Sequence, residues 1–148
     1  MTVTVRAVQP DDRAEWDLLY QGYARFYNVE QTAQMRDTVW GWLMDPAHSS
    51  NGFVAQDARA SLIGLTHYRP FVSCLKAVTN CFLDDLFVDP GARGSGAAQA
   101  LIGAVEDVAR QNGWPVVRWI TADDNYRGRG VYDKLATRTM WITYDLQL

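Results

Sequence analysis

The chain has 148 residues, 48% of them apolar and 12% aromatic, with six Trp and seven Tyr; a chain of this size buries one core without staples, and the composition excludes disorder. A formal net charge of -3 gives no basic footprint for nucleic acid or for an anionic membrane surface. No apolar run approaches the roughly 20 residues of a membrane span, and Cys74 and Cys81, with only two His in the chain, lack the spacing of a zinc site.

Val3, Val5 and Ala7 alternate with polar residues, which predicts a first strand. It stops at Gln9-Pro10-Asp11-Asp12, a stretch suited to helix entry. The opening residues show no charged leader ahead of an apolar stretch, so the expectation is a cytoplasmic protein. Trp16, Leu19, Tyr20, Tyr23, Phe26 and Tyr27 recur at three- and four-residue steps, and Met35, Val39, Trp40, Leu43 and Met44 repeat the pattern over roughly residues 32–44. Two amphipathic helices are predicted before Asp45-Pro46.

Three strand-like runs follow, over 52–56, 62–68 and 81–88, separated by turn residues and best read as an antiparallel meander. Cys74 and Cys81 flank the last turn and read as two thiols, a disulfide across that turn being the alternative. Residues 95–112 place Leu101, Ile102, Val105, Val108 and Ala109 on one helical stripe that stops at Asn112-Gly113. Residues 116–121 are rich in strand formers, and 126–136 predict a short helix weakened by Gly128 and Gly130. Residues 140–146 alternate as a final strand. The order β, α, α, β, β, β, α, β, α, β, with no repeat or linker, predicts one mixed α/β domain over 1–148 with helices on both faces of its sheet.

The segment most informative about function is the turn between the third meander strand and the long helix. Arg93-Gly94-Ser95-Gly96-Ala97-Ala98 runs from a strand directly into a helix start. Free N–H groups and the helix dipole favour an anion there, and small residues let phosphate oxygens approach the backbone. Glycine and serine also serve simply as turn and cap, but the spacing excludes a Walker loop and the dinucleotide fingerprint.

With these residues in place, the chain resembles the GNAT superfamily of N-acetyltransferases. That family's coenzyme A motif, Arg/Gln-x-x-Gly-x-Gly/Ala, is matched by Arg93, Gly96 and Ala98. Leu83-Asp84-Asp85-Leu86-Phe87-Val88, Trp119-Ile120-Thr121, Asn125, Arg127 and Tyr132 look like the branch holding yeast histone and polyamine acetyltransferases and the diamine acetyltransferases. Leu135-Ala136-Thr137 departs from the Leu-Gly-Phe with which many relatives leave the last helix. The resemblance implies a mixed, largely antiparallel sheet of about six or seven strands. It also implies acetyl-CoA as co-substrate, no metal, and a homodimer formed through the final strands.

It further implies site roles. Backbone N–H groups of Leu86, Phe87 and Val88 would bind the acyl carbonyl and pantetheine, and residues 93–98 the pyrophosphate. Asn125 would bond the pantetheine arm or, equally, cap a helix. Tyr132 matches the family's proton donor to the thiolate. Its phenol, with a reference pKa of about 10, stays protonated while a thiolate of pKa about 8.5 departs; packing its ring on the core is the alternative.

An amine acceptor of pKa about 10.4 is rarely neutral at pH 7, and neutralising it costs roughly 4 to 5 kcal/mol. Asp84 aligns with the glutamate proposed as a water-mediated base in diamine acetyltransferases, and Asp85 is the candidate for binding a cationic acceptor. Successive strand positions predict the two on opposite faces, and either also reads as an ion-paired surface carboxylate. Glu30 and His67 are weaker candidates. Tyr20, Tyr23, Tyr27, Trp40 and Trp42 lie on the helices that overlie the acceptor groove in the family. They offer cation–π faces or a core stripe, with Tyr23, Tyr27, Trp40 and Asp85 the named acceptor set. The expected activity is acetyl transfer to a primary amine, either a polyamine, an amino acid or another small amine, or a lysine. A non-catalytic acyl-CoA-binding module and a nucleotide-binding domain are the competing classes.

Overall fold

In the computed structural model, which describes residues 2–148 and leaves Met1 outside, the opening alternation forms β1 (Thr4–Ala7). A 3-10 turn over Pro10–Asp12 leads into α1 (Arg13–Phe26). The turn is held by Asp12, whose carboxylate accepts the Gln9 N–H at 2.7 Å and two Arg6 N–H groups at 2.8 Å. α1 turns Trp16, Leu19, Tyr20 and Ala24 inward. α2 (Ala33–Met44) starts on Thr32, whose hydroxyl accepts the Met35 N–H at 3.1 Å, and it is tied to α1 by the Arg36 to Asp17 ion pair at 2.8 Å.

β2 (Asn51–Gln56), β3 (Leu62–Ser73) and β4 (Val78–Val88) form the predicted meander, with the β3–β4 hairpin longer than its apolar pattern suggested. α3 (Ala97–Gln111) follows and buries Leu101, Ile102, Val105 and Ala109 of the predicted stripe together with Ala97, while Val108 stays half-buried. β5 (Val117–Arg118) and α4 (Tyr126–Leu135) complete the elements. The sheet order is β1-β2-β3-β4-β5, antiparallel except for the parallel β4–β5 pair. One face carries α1 and α2 on a cluster of Trp16, Leu19, Tyr20, Leu65 and Phe87, while the other carries α3 on Tyr68, Leu83, Ile102 and Val105.

Two expectations change. The sheet has five strands, not six or seven, because residues 140–146 form no ladder among the described residues and lie exposed along with the rest of 133–148. Apolar alternation alone makes no strand; backbone pairing does, and no strand of this chain lies beside the segment. β5 is likewise cut to two paired residues, Val117 on Cys81 and Arg118 on Phe82. From Leu83 onward β4 therefore has β3 on one side and no strand on the other. Cys74 is exposed and Cys81 buried, and both are free thiols.

Candidate functional site

Where β4 loses its outer neighbour, the chain opens a cavity of about 340 Å³. Leu86, Phe87 and Val88 line it from the strand. Residues 93–98 form one wall, Asn125, Arg127, Gly128 and Tyr132 the facing wall, and Phe26 and Tyr27 the lip. Every residue predicted for acyl-carrier binding thus shares one cleft.

The loop wall is shaped by two glycines. Gly94 and Gly96 have φ of +82° and +85°, and a Cβ at either would meet nothing within 4 Å. Their requirement is therefore conformational, since only glycine enters the left-handed region freely, and the space before them is open. Ser95 Oγ accepts the Ala97 N–H at 3.3 Å, while the first-turn amides of Ala98 and Gln99 find no acceptor among the described residues. Those amides, the positive end of α3 and the cationic side chains of Arg93 and Arg127 make this wall of the cleft locally electropositive despite the chain's negative charge.

The facing wall is α4. Asn125 is both cap and lining: its Oδ1 accepts the Gly128 N–H at 3.2 Å, and its Nδ2 donates to Thr121 Oγ1 at 2.9 Å. A Cβ at residue 128 would fall 2.5 Å from Asn125 Nδ2. The glycine that weakens helix propensity is what lets the cap fold over. Tyr132 is fixed by an edge-on contact with Trp119 at 5.5 Å. Burial, with Tyr27 nearby, pushes its phenol up to about 12, so it stays a hydrogen-bond donor at physiological pH.

The two carboxylates do not lie on opposite faces. The β3–β4 register slips between His67 and Tyr68, pairing His67 with Asp85 and Tyr68 with Leu83, so that Asp84 is the extra residue of a β-bulge. Leu83 packs under α3 and Phe87 under α1, an exchange of faces that regular alternation forbids. The bulge turns Asp84 and Asp85 to the α1 side, where both act on Tyr20 and His67. Their environments then diverge. Asp84 pairs with Arg69 at 3.1 Å, yet burial outweighs this and lifts its carboxyl above the ordinary value. For Asp85, burial is outweighed by the hydrogen bonds of His67 at 2.8 Å and Tyr20 at 2.9 Å, with the Tyr23 hydroxyl nearby, which hold the carboxyl below it.

Among the predicted acceptor residues, Tyr27 lines the cleft, and Tyr23 stands behind it at 5.1 Å from Tyr27 and 6.0 Å from Phe87. Asp85 adjoins Tyr23 and is thus one ring removed from the cleft. Trp40 is not with them. It packs on Trp16 at 5.0 Å in the core, and Trp42 stacks on His48. Glu30 is exposed. Phe26 reads from the sequence only as part of a helical stripe and Arg127 only within the resemblance, because it takes the fold to bring both to the same cleft. His67 is buried between Trp16 and Asp85. Gln31, a loop residue in the sequence, lies against Tyr20 and keeps a buried Oε1 without a partner among the described residues. Among the described residues no cluster of His, Cys, Asp or Glu is placed to hold a metal ion, and no helix is long and apolar enough to cross a membrane.

Comparison with known proteins places this geometry in a lineage. The model of the acetyltransferase (GNAT) family matches residues 16–136. The D-amino-acid N-acetyltransferase HPA3 of Saccharomyces cerevisiae is 28% identical over 143 residues, covering 96% of this chain and 89% of its own. A solved ribosomal-protein-alanine N-acetyltransferase from Brucella melitensis biovar Abortus 2308 superposes with a TM-score of 0.82 at 20% identity, over the whole of both chains. The structure of AAC(6')-Iy with a CoA-linked bisubstrate analogue superposes at 0.86 and 17% identity, over 100% of this chain and 99% of that one. At those identities the two structures speak to the fold.

Proposed function

Because the chain belongs to the acetyltransferase (GNAT) family, whose members use acetyl-CoA as co-substrate, we propose that it transfers the acetyl group directly to a primary amine with both substrates bound together. The observation that carries this reading is the cleft between residues 93–98 and Tyr132, laid along the unpaired edge of β4. Its glycine wall and arginines suit a pyrophosphate. The edge at Leu86, Phe87 and Val88 suits the pantetheine arm and the acyl carbonyl, with Asn125 beside the arm. Tyr132 then stands near the sulfur.

Chemistry follows from this placement. The neutral amine nitrogen attacks the thioester carbonyl carbon, and strand amides stabilise the oxyanion. The C–N bond forms and the C–S bond breaks; the nitrogen sheds its second proton to solvent, and the leaving thiolate takes a hydrogen bond and then a proton from Tyr132, which is reprotonated from that solvent. Asp85, held ionised, receives the acceptor as an ammonium. Asp84, whose proton affinity is the higher of the two, takes the proton that the amine sheds, through water. Neighbouring carboxylates pushed apart in this way divide the roles of counter-ion and base. Tyr23 and Tyr27 supply aromatic faces to the cation. The acceptor class we favour is a small amine such as an amino acid or polyamine, with a lysine side chain second; the yeast relative named for D-amino acids supports the former.

We further propose a homodimer joined through the C-terminal segment, whose Met140, Trp141, Ile142, Tyr144 and Leu146 are too exposed for a chain that stays alone.

The test is thiol release from acetyl-CoA over polyamines, D- and L-amino acids, aminoglycosides and histone peptides. Release with at least one class is expected, and a Gly96→Val variant, forced out of its left-handed φ, should bind acetyl-CoA about tenfold or more weakly while remaining folded. Acetyl-CoA bound without release for any amine would leave a binding module instead; undiminished binding by Gly96→Val would remove the loop from the site.

A further inference from the structure

His67 lies behind the carboxylates, 5% exposed, in a chain of hydrogen bonds that crosses three elements. Trp16 of α1 donates its Nε1–H to His67 Nε2 at 3.0 Å, and His67 Nδ1 lies 2.8 Å from Asp85 Oδ2 on β4. Tyr20 donates to the same carboxylate oxygen at 2.9 Å. The indole N–H is a donor and nothing else, so Nε2 must present its lone pair and the ring's single proton sits on Nδ1, donated to Asp85. A second proton would have to occupy Nε2 and face the indole N–H, donor against donor. With that lone pair sealed under Trp16, which is 0% exposed, the imidazole has no acceptor to offer a substrate. It is therefore not a base for the amine.

We propose that His67 is a positioning residue: locked as the Nδ1–H tautomer by Trp16, it clamps the Asp85 carboxylate in the orientation and charge state that receives a cationic amine. This rests on the acetyltransferase reading and on Asp85 as receptor, and extends both to residues that never touch substrate. The groups facing Asp85 are Tyr20 and Tyr23 from α1, His67 from β3 and neighbouring Asp84, itself paired with Arg69. Of the donors His67 is fixed from behind by the indole of Trp16, so its N–H has one direction toward Asp85. A buried carboxylate receiving fixed donors needs no reorganisation when the ammonium arrives.

The experiment compares the parent with His67→Leu, which deletes the donor, and His67→Asn, whose side-chain amide N–H restores one near Nδ1. For His67→Leu the KM of a cationic acceptor should rise about tenfold, the KM of acetyl-CoA should stay put, and the acidic limb of kcat/KM should move up by about one pH unit. His67→Asn should recover most of both changes. A purely structural role would lower melting temperature without moving the acidic limb. In the parent, nitrogen chemical shifts of the neutral ring should show a protonated Nδ1 and a bare Nε2. A proton found on Nε2, or a folded His67→Leu with the parent's acceptor KM and pH profile, would overturn the proposal. Absence of thiol release in the parent itself would instead remove the acetyltransferase reading on which it stands.

Discussion

Tyr132 and Asp85 both carry groups whose proton affinity has been moved, and for opposite reasons. Burial raises the Tyr132 phenol to about 12, so the site reads as a hydrogen-bond donor to the leaving sulfur across any ordinary assay pH. Replacing it with Phe should lower kcat about a hundredfold while leaving acetyl-CoA affinity within about twofold; stopped-flow thiol release together with calorimetric binding separates the two, and an unchanged kcat would dismiss the role. Asp85 is buried too, but it faces three donors and ends on the acid side of its ordinary value. Such detail was invisible in the sequence. His67 is one of two histidines, flanked by strand residues, and nothing near it in the chain announces an indole 51 positions earlier. Gln31, likewise, reads as a loop residue until α1 brings Tyr20 against it.

At the scale of elements, the decisive feature is the bulge at Asp84, which exchanges the faces of β4 and turns two adjacent carboxylates to one side. A one-residue insertion shifts the phase of the alternation in β4, but with apolar residues on both faces of that strand the shift is hidden in the sequence. The helices were more legible. α3 kept its stripe almost residue for residue because an amphipathic face of this length has one way to bury itself. The entry to α1 makes a prediction of its own. The hydrogen bonds from Arg6 hold the Asp12 carboxyl below its ordinary value, so the stabilisation is complete above the unfolded carboxylate pKa of about 3.9 and is lost as pH falls through the lower folded value. Asp12→Asn should therefore cost about 1 to 3 kcal/mol at pH 7, and the gap between the variant and the parent should close as denaturation is followed down toward pH 2. A gap that persisted in acid would mean that the loss came from packing.

For the molecule as a whole, the unresolved demand is made by its last residues. Trp141 is 85% exposed, and the apolar alternation around it has the form of a strand without a ladder. A second copy can supply one by a reciprocal exchange about a two-fold axis, which satisfies both tails at once. Sedimentation at micromolar concentration should give a dimer, and a chain ending at residue 137 should give a monomer that keeps its melting transition; a monomeric parent would refute the exchange. Much of this protein was determined by local chemistry. The glycines at 94 and 96, the stripe of α3, the meander and the strand, loop and helix that make an anion cradle all depend on near neighbours in the chain, so spacing exposed them, and the resemblance to the family rests on the motifs they carry. The tertiary structure alone decided the facing of Asp84 and Asp85, the withdrawal of Trp40 into the core, the enclosure of His67 and the truncation of β5, because each depends on which distant backbone or side chain arrives to pair with it.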